Sequence, residues 1–93
     1  MIDLFARPLD SSRLQARDHA HAQRFADTLP DVILADPSGS VTIGDLSRAV
    51  NKRLNRASLP GIPTSTVRRL VRAVGFRTRN LEEDVLVQGV TLR

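Results

Sequence analysis

The chain of 93 residues is short enough to form one domain, and at this size only about 60–65% of the unfolded surface is buried, so the core must be small. It has three Phe, two His and no Cys, Tyr or Trp, which excludes disulfides and thiolate metal sites and leaves too few rings for stacking unpaired bases. The net charge of +4 is unevenly spread: residues 1–45 hold four Arg against seven Asp, net −3, whereas residues 46–93 hold nine Arg and one Lys against Glu82, Glu83 and Asp84, net +7.

No acid interrupts the nine basic residues between Leu46 and Leu81. A block of one sign points to a partner of the opposite sign, here a polyanion. No apolar run approaches the roughly 18 residues of a membrane span. The N-terminus lacks the basic-then-apolar order of a signal peptide. The expectation is a soluble, cytoplasmic protein with no membrane contact.

Residues 1–9 alternate Ile2, Leu4 and Ala6 up to Pro8. They form an N-terminal arm, either a short strand or a segment packed on the domain. The domain itself is expected over residues 10–93. Asp10-Ser11-Ser12 offers a helix cap. A helix over about 12–29 then carries a narrow apolar stripe of Leu14, Ala22, Phe25 and Leu29, with Pro30 as its stop. His19 and His21 are two apart and point away from each other on a helix, so no metal site is expected. Asp31 to Ala35 reads as an extended run or an irregular link, and Asp36-Pro37-Ser38-Gly39-Ser40 as a turn. That turn is no phosphate loop, since the Lys-Ser/Thr pair and spaced glycines are missing.

Ser40-Val41-Thr42 reads as a very short strand. Thr42 and Asp45 then take the cap and third positions of a shortened capping box. The helix that follows, about 43–56, places Ile43, Leu46, Val50, Leu54 and Ala57 on one face and Arg48, Lys52 and Arg56 on the other. Ala57 to Pro63 breaks it, with Leu59 and Ile62 as apolar plugs beneath the turn and Thr64 as the next cap. In the helix over 64–74, steps of about 100° put Val67, Leu70, Val71 and Val74 on one side. Ser65, Arg68, Arg69 and Arg72 fall on the opposite side. Gly75 suits a left-handed cap, and Phe76 is placed to fold back on the last turn.

Beyond Gly75 the pattern changes to period two. Phe76 and Thr78 alternate with Arg77 and Arg79, Asn80 to Asp84 has turn chemistry, and Val85 to Leu92 resumes a β-rich run with a bend or bulge at Gly89. A hairpin over about 76–92 follows. Helix, short strand, helix, helix and hairpin, in that order, make an α+β winged helix-turn-helix: three helices, a C-terminal β-hairpin and a short first strand.

Val41-Thr42-Ile43-Gly44-Asp45-Leu46 opens one helix, the run Pro63 to Phe76 ends in Gly-Phe, Arg77-Thr78-Arg79 follows, and Gln88-Gly89-Val90-Thr91-Leu92 closes the chain. This arrangement, a little over half of the chain, resembles the small winged-helix domain at the C-terminus of phage and plasmid primase-helicases of the poxvirus-like group. The resemblance implies DNA engagement near a replication origin or fork, with recognition by residues 64–74 and a wing over 76–92. The family domain follows an ATPase motor, and no motor motif occurs here. The chain is then a stand-alone protein or an excised domain.

The expected ligand is duplex or forked DNA. Thr64, Ser65, Thr66, Arg68, Arg69 and Arg72 would form the reading helix, with Arg77 and Arg79 at the base of the wing and Arg48, Lys52 and Arg56 extending the field. Arginine forks suit guanine edges and phosphates, and the helix N-terminus suits a phosphate. Five neutralised phosphates would give a salt slope of about −4.5. The acids Glu82, Glu83 and Asp84 at the wing tip would repel a backbone at close range, so the tip is expected to point away from DNA or to serve a protein partner. No cofactor and no catalysis are expected: Asp18 and His21 could pair on one helix face, but no nucleophile accompanies them. The competing classes are a protein-interaction module, including self-association of the acidic N-terminal half or wing tip with the basic half, and a small regulator or inhibitor that uses the fold without binding DNA. Transcription control stands beside replication as the setting for a DNA-binding chain.

Overall fold

The structure, a computed structural model, describes residues 16–93. The expected arm over 1–9, the cap at Asp10-Ser11-Ser12 and the stripe position Leu14 lie outside the described residues. Among the described residues the chain is α+β, with three helices and one three-stranded antiparallel sheet.

Helix α1, Ala16–Val32, buries Ala22, Phe25, Leu29 and Val32. It continues two residues past Pro30, where the sequence predicts a stop. Proline removes the donor that would reach the Ala26 carbonyl and its ring crowds that carbonyl, but in the last turn the loss is confined to one bond. The free carbonyls beyond are satisfied from the far end of the chain: Arg93 donates from Nε to Pro30 O (2.6 Å) and from its backbone N to Val32 O (2.9 Å). Burial of Val32 and Ile33 holds the helix end against the core.

Strand β1, Ile33–Thr42, replaces the expected separate link, turn and three-residue strand. Its two halves pair with a single partner, β3, Val85–Leu92. Ile33 to Ala35 face Leu92 to Val90, and Ser40 to Thr42 face Gln88 to Leu86. The predicted turn survives as a bulge between these halves, tied by the Asp36 carboxylate, which accepts from the N and Oγ of Ser38 (3.1 and 3.0 Å). Opposite the bulge stands Gly89, at φ 85°, the irregularity expected there. A Cβ on Gly39 would lie 2.6 Å from Val90 O, so the two strands approach too closely for any side chain. The bulge also shifts the alternation of β3, from Val85 and Val87 to Val90 as the buried positions.

Helix α2, Ile43–Arg56, is capped by Thr42, whose Oγ1 accepts from Asp45 N (3.1 Å). Only that half of the expected box forms, because the Asp45 carboxylate pairs with Arg48. Ile43, Leu46, Val50 and Leu54 are buried as expected, but Ala57 is an exposed C-cap. Ser58 takes the left-handed position (φ 58°), Ser58 N donates to Asn55 O (3.0 Å) and Leu59 N to Leu54 O (2.9 Å). This doubly bonded end needs a non-helical residue, and a serine fills it. Leu59 is 46% exposed and plugs nothing; Ile62, at 2%, does.

Asn51 fastens the turn: its Nδ2 donates to Ile62 O (2.9 Å) and its Oδ1 accepts from Ile62 N (2.6 Å). Helix α3, Thr64–Val74, starts from Pro63 with no side-chain cap. Thr64 is inside the helix rather than its cap, and its hydroxyl meets Ser47 Oγ of α2 (3.1 Å). The underside, Val67, Leu70, Val71 and Val74, is buried as expected, at roughly 2 kcal/mol per side chain. Gly75 adopts the left-handed conformation (φ 96°), and Phe76 folds back half-buried on the core. Strand β2, Arg77–Asn80, forms the hairpin with β3, and the sheet order is β1-β3-β2. This layout is compatible with the expected winged-helix arrangement.

Candidate nucleic-acid interface

The outward face of α3 carries Ser65, Arg68 and Arg72, all exposed and spaced three and four apart. That spacing stacks them in one row along the helix. No acid lies in the first turn of α3, so the unpaired amides at its N-terminus present an uncompensated positive end. Thr64 is exposed there as well. After Gly75 the chain enters β2, an edge strand, with Arg77 and Arg79 both exposed. Arg77 pairs with Gln88 and Arg79 with Leu86 in register, so the two arginines share one face of the sheet.

Two of the expected reading residues turn inward. Arg69 donates from Nε and Nη2 to the two carboxylate oxygens of Asp18, both at 2.7 Å, and Asp18 has no exposed surface. This two-pronged pair fastens α1 to α3. The hydrogen bond to Asp18 raises the Arg69 guanidinium above its ordinary value; burial opposes that rise and the carboxylate charge adds to it. Thr66 is buried, and its hydroxyl accepts from Arg69 Nη2 (3.2 Å). Asp18 therefore serves Arg69, and His21 takes a different partner, its Nδ1 accepting from Arg24 (2.6 Å).

The three basic residues of α2 expected to extend the α3 row, Arg48, Lys52 and Arg56, do not join it. Ser47 and Asn51 mark the side of α2 that faces α3. Arg48 is engaged by Asp45. Lys52 and Arg56, together with Arg53 and Arg93, instead line a groove against the end of α1. Arg53 and Arg93 enter this second basic surface without a local signal, because their meeting depends on the packing of three chain segments.

The tip of the β2–β3 hairpin lies beside the arginine helix. Leu81 N donates to Asp84 O (2.8 Å), which closes a two-residue loop of Glu82 and Glu83. Asp84 is turned in, its Oδ2 accepting from Gly44 N (3.3 Å) at the start of α2. A carboxylate there is favoured by the helix dipole. Glu82 and Glu83 remain exposed and share a cleft of about 290 Å³ with Arg68. The acids thus bound the cationic row on one side. Among the described residues no helix is long and apolar enough to cross a membrane, and no cluster of three or more His, Asp or Glu could hold a metal ion. A scan against protein-family models, a search of curated proteins and a search of solved structures each returned no match.

Proposed function

We propose that the chain is a winged-helix domain that binds duplex DNA through the exposed face of α3. The observation that carries this reading is the row Ser65, Arg68 and Arg72 on a helix whose opposite side is fully buried, continued by Arg77 and Arg79 on the next strand. A helix about 10–12 Å across fits a major groove about 12 Å wide. Its rigid anchoring leaves little freedom to be lost on binding. Arg68 and Arg72 contact base edges or phosphates; Ser65, Thr64 and the free amides hold a phosphate; Arg77 and Arg79 grip the neighbouring backbone. Arg69 and Thr66 support the helix from beneath instead of reading.

Replication of the phage or plasmid type is the setting favoured by the resemblance to primase-helicase C-terminal domains, with transcription control as the other use of such a module. Either goes with action in the cytoplasm. A salt-dependent titration with random duplex tests the reading. Four exposed cations neutralising phosphates give a slope of log K on log salt of about −3.6, and a slope near zero refutes it. The second reading, a protein-binding module or small inhibitor, draws on Glu82 and Glu83 beside Arg68. It requires tight protein binding in the absence of any DNA affinity.

A further inference from the structure

The groove between α2, the end of α1 and the end of β3 is a second basic surface, separate from the α3 row. Its rim holds Lys52, Arg53, Arg56 and Arg93, and its volume is about 260 Å³. The single acid on it, Asp31, already pairs with Arg53 at 3.4 Å. The rim therefore keeps a surplus of positive charge. The floor is different in kind: Val32, Ala49 and Leu92 line it, and Leu92 is 38% exposed. A sugar-phosphate backbone has no use for an apolar floor. An acidic protein loop that carries an apolar side chain does.

The chain itself bears such a loop. At the wing tip Glu82 and Glu83 project from a closed two-residue turn, and Leu81 beside them is 42% exposed. Asp84 anchors the tip on the α2 N-terminus, so the knob is held in place. Knob and groove lie at opposite ends of both α2 and β3. The tip precedes Val85 and touches Gly44, whereas the groove takes Ala49, Lys52, Arg53 and Arg56 of α2 with Leu92 and Arg93 at the end of the chain's last strand. Eight strand residues separate the two ends of β3 by roughly 23 Å. A tip cannot reach its own groove.

We infer that the wing tip of one copy docks in the basic groove of the next, so that copies of this chain associate head to tail. The two carboxylates meet the cationic rim, and Leu81 covers the Leu92 floor. Such a contact is heterologous: each copy keeps one free tip and one free groove, and the assembly grows as an open chain or closes as a ring. Its small area makes it weak, with dissociation constants from about ten micromolar to a millimolar. Docking uses neither Arg72 nor the N-terminus of α3, and it does not depend on the DNA reading.

Sedimentation velocity on the full chain, without DNA, tests it. The sedimentation coefficient is expected to rise with protein concentration and to fall back in high salt. Glu82→Lys with Glu83→Lys, and separately Lys52→Glu with Arg56→Glu, each lower the association constant by about tenfold or more. All four positions are exposed, so circular dichroism and the melting temperature should hold. Mixing the two variants restores association, because reversed tip meets reversed groove and native meets native. A chain that stays monomeric throughout overturns the inference, as does a mixture that stays monomeric or a reversed variant that associates like the parent. If Lys52→Glu with Arg56→Glu instead cuts duplex affinity and salt slope while the parent is monomeric, the groove is a second phosphate surface and the inference falls.

Discussion

Replacing Arg68 and Arg72 together by Ala removes two of the four cations exposed along α3 and β2. Each neutralised phosphate contributes about −0.9 to the slope of log K on log salt, so the parent slope of about −3.6 should fall to about −1.8. Between 50 and 200 mM salt, the parent then loses about 150-fold in affinity and the double variant only about 12-fold. Fluorescence anisotropy with a labelled random duplex, repeated across that salt range, reads both slopes directly. Neither arginine has an ion pair with an acid among the described residues, and both are exposed, so the melting temperature should change little. The reasoning is refuted if the double variant keeps the parent slope, because the cations lost were then not those meeting phosphates. Arg69→Met is the internal control. Its guanidinium faces Asp18, so it should leave the slope near −3.6 and lower stability instead.

Stability measurements extend the same logic. Urea denaturation should show Arg69→Met strongly destabilised, since the buried Asp18 carboxylate then loses the guanidinium that faces it; a neutral change would mean the pair does not lock α1 to α3. The raised value of Arg69 keeps its contribution fully present below its unfolded value and lost only as pH climbs through the folded one, so stability should show no alkaline loss from this pair near neutrality. Asn51→Ala strands Ile62 N and O in the turn and should cost about 2 kcal/mol, visible as a lower urea midpoint; an unchanged midpoint would show that water replaces the bracket. A Cβ at Gly89 meets nothing within 4 Å, so Gly89→Ala should cost only the left-handed backbone strain, about 1–2 kcal/mol, with Gly89→Asn cheaper. A thermal midpoint equal to the parent's for Gly89→Ala would show that the bulge tolerates another conformation.

Periodicity within one segment made much of the fold legible. The stripes Ile43, Leu46, Val50, Leu54 and Val67, Leu70, Val71, Val74 are buried where a helical wheel puts them. Gly75 caps α3 and Gly89 takes a positive φ opposite the β1 bulge for reasons local to glycine. Two of the misreadings arose where distant segments meet. Pro30 does not end α1, because Arg93 satisfies the carbonyls beyond it. Residues 36–39 form a bulge instead of a separating turn, because β3 pairs on both sides of them. Leu59 is apolar but exposed, since the Schellman bonds of Ser58 and Leu59 fix the turn without its side chain.

The candidate site divides in the same way. Sequence alone determined that one helix would bury four aliphatic side chains and carry its arginines on the remaining surface, because a period near 3.6 fixes which residues share a face. Only the tertiary structure decided which arginines stay free. Asp18, 51 positions away, draws Arg69 inward, while Arg68, beside the exposed Glu82 and Glu83, and Arg72 form no ion pair among the described residues and stay exposed. The sorting of Lys52, Arg53, Arg56 and Arg93 into a separate groove was likewise settled by how α1, α2 and β3 end against one another. Charge along the chain counts cations, and their pairing depends on through-space distance, which only packing sets.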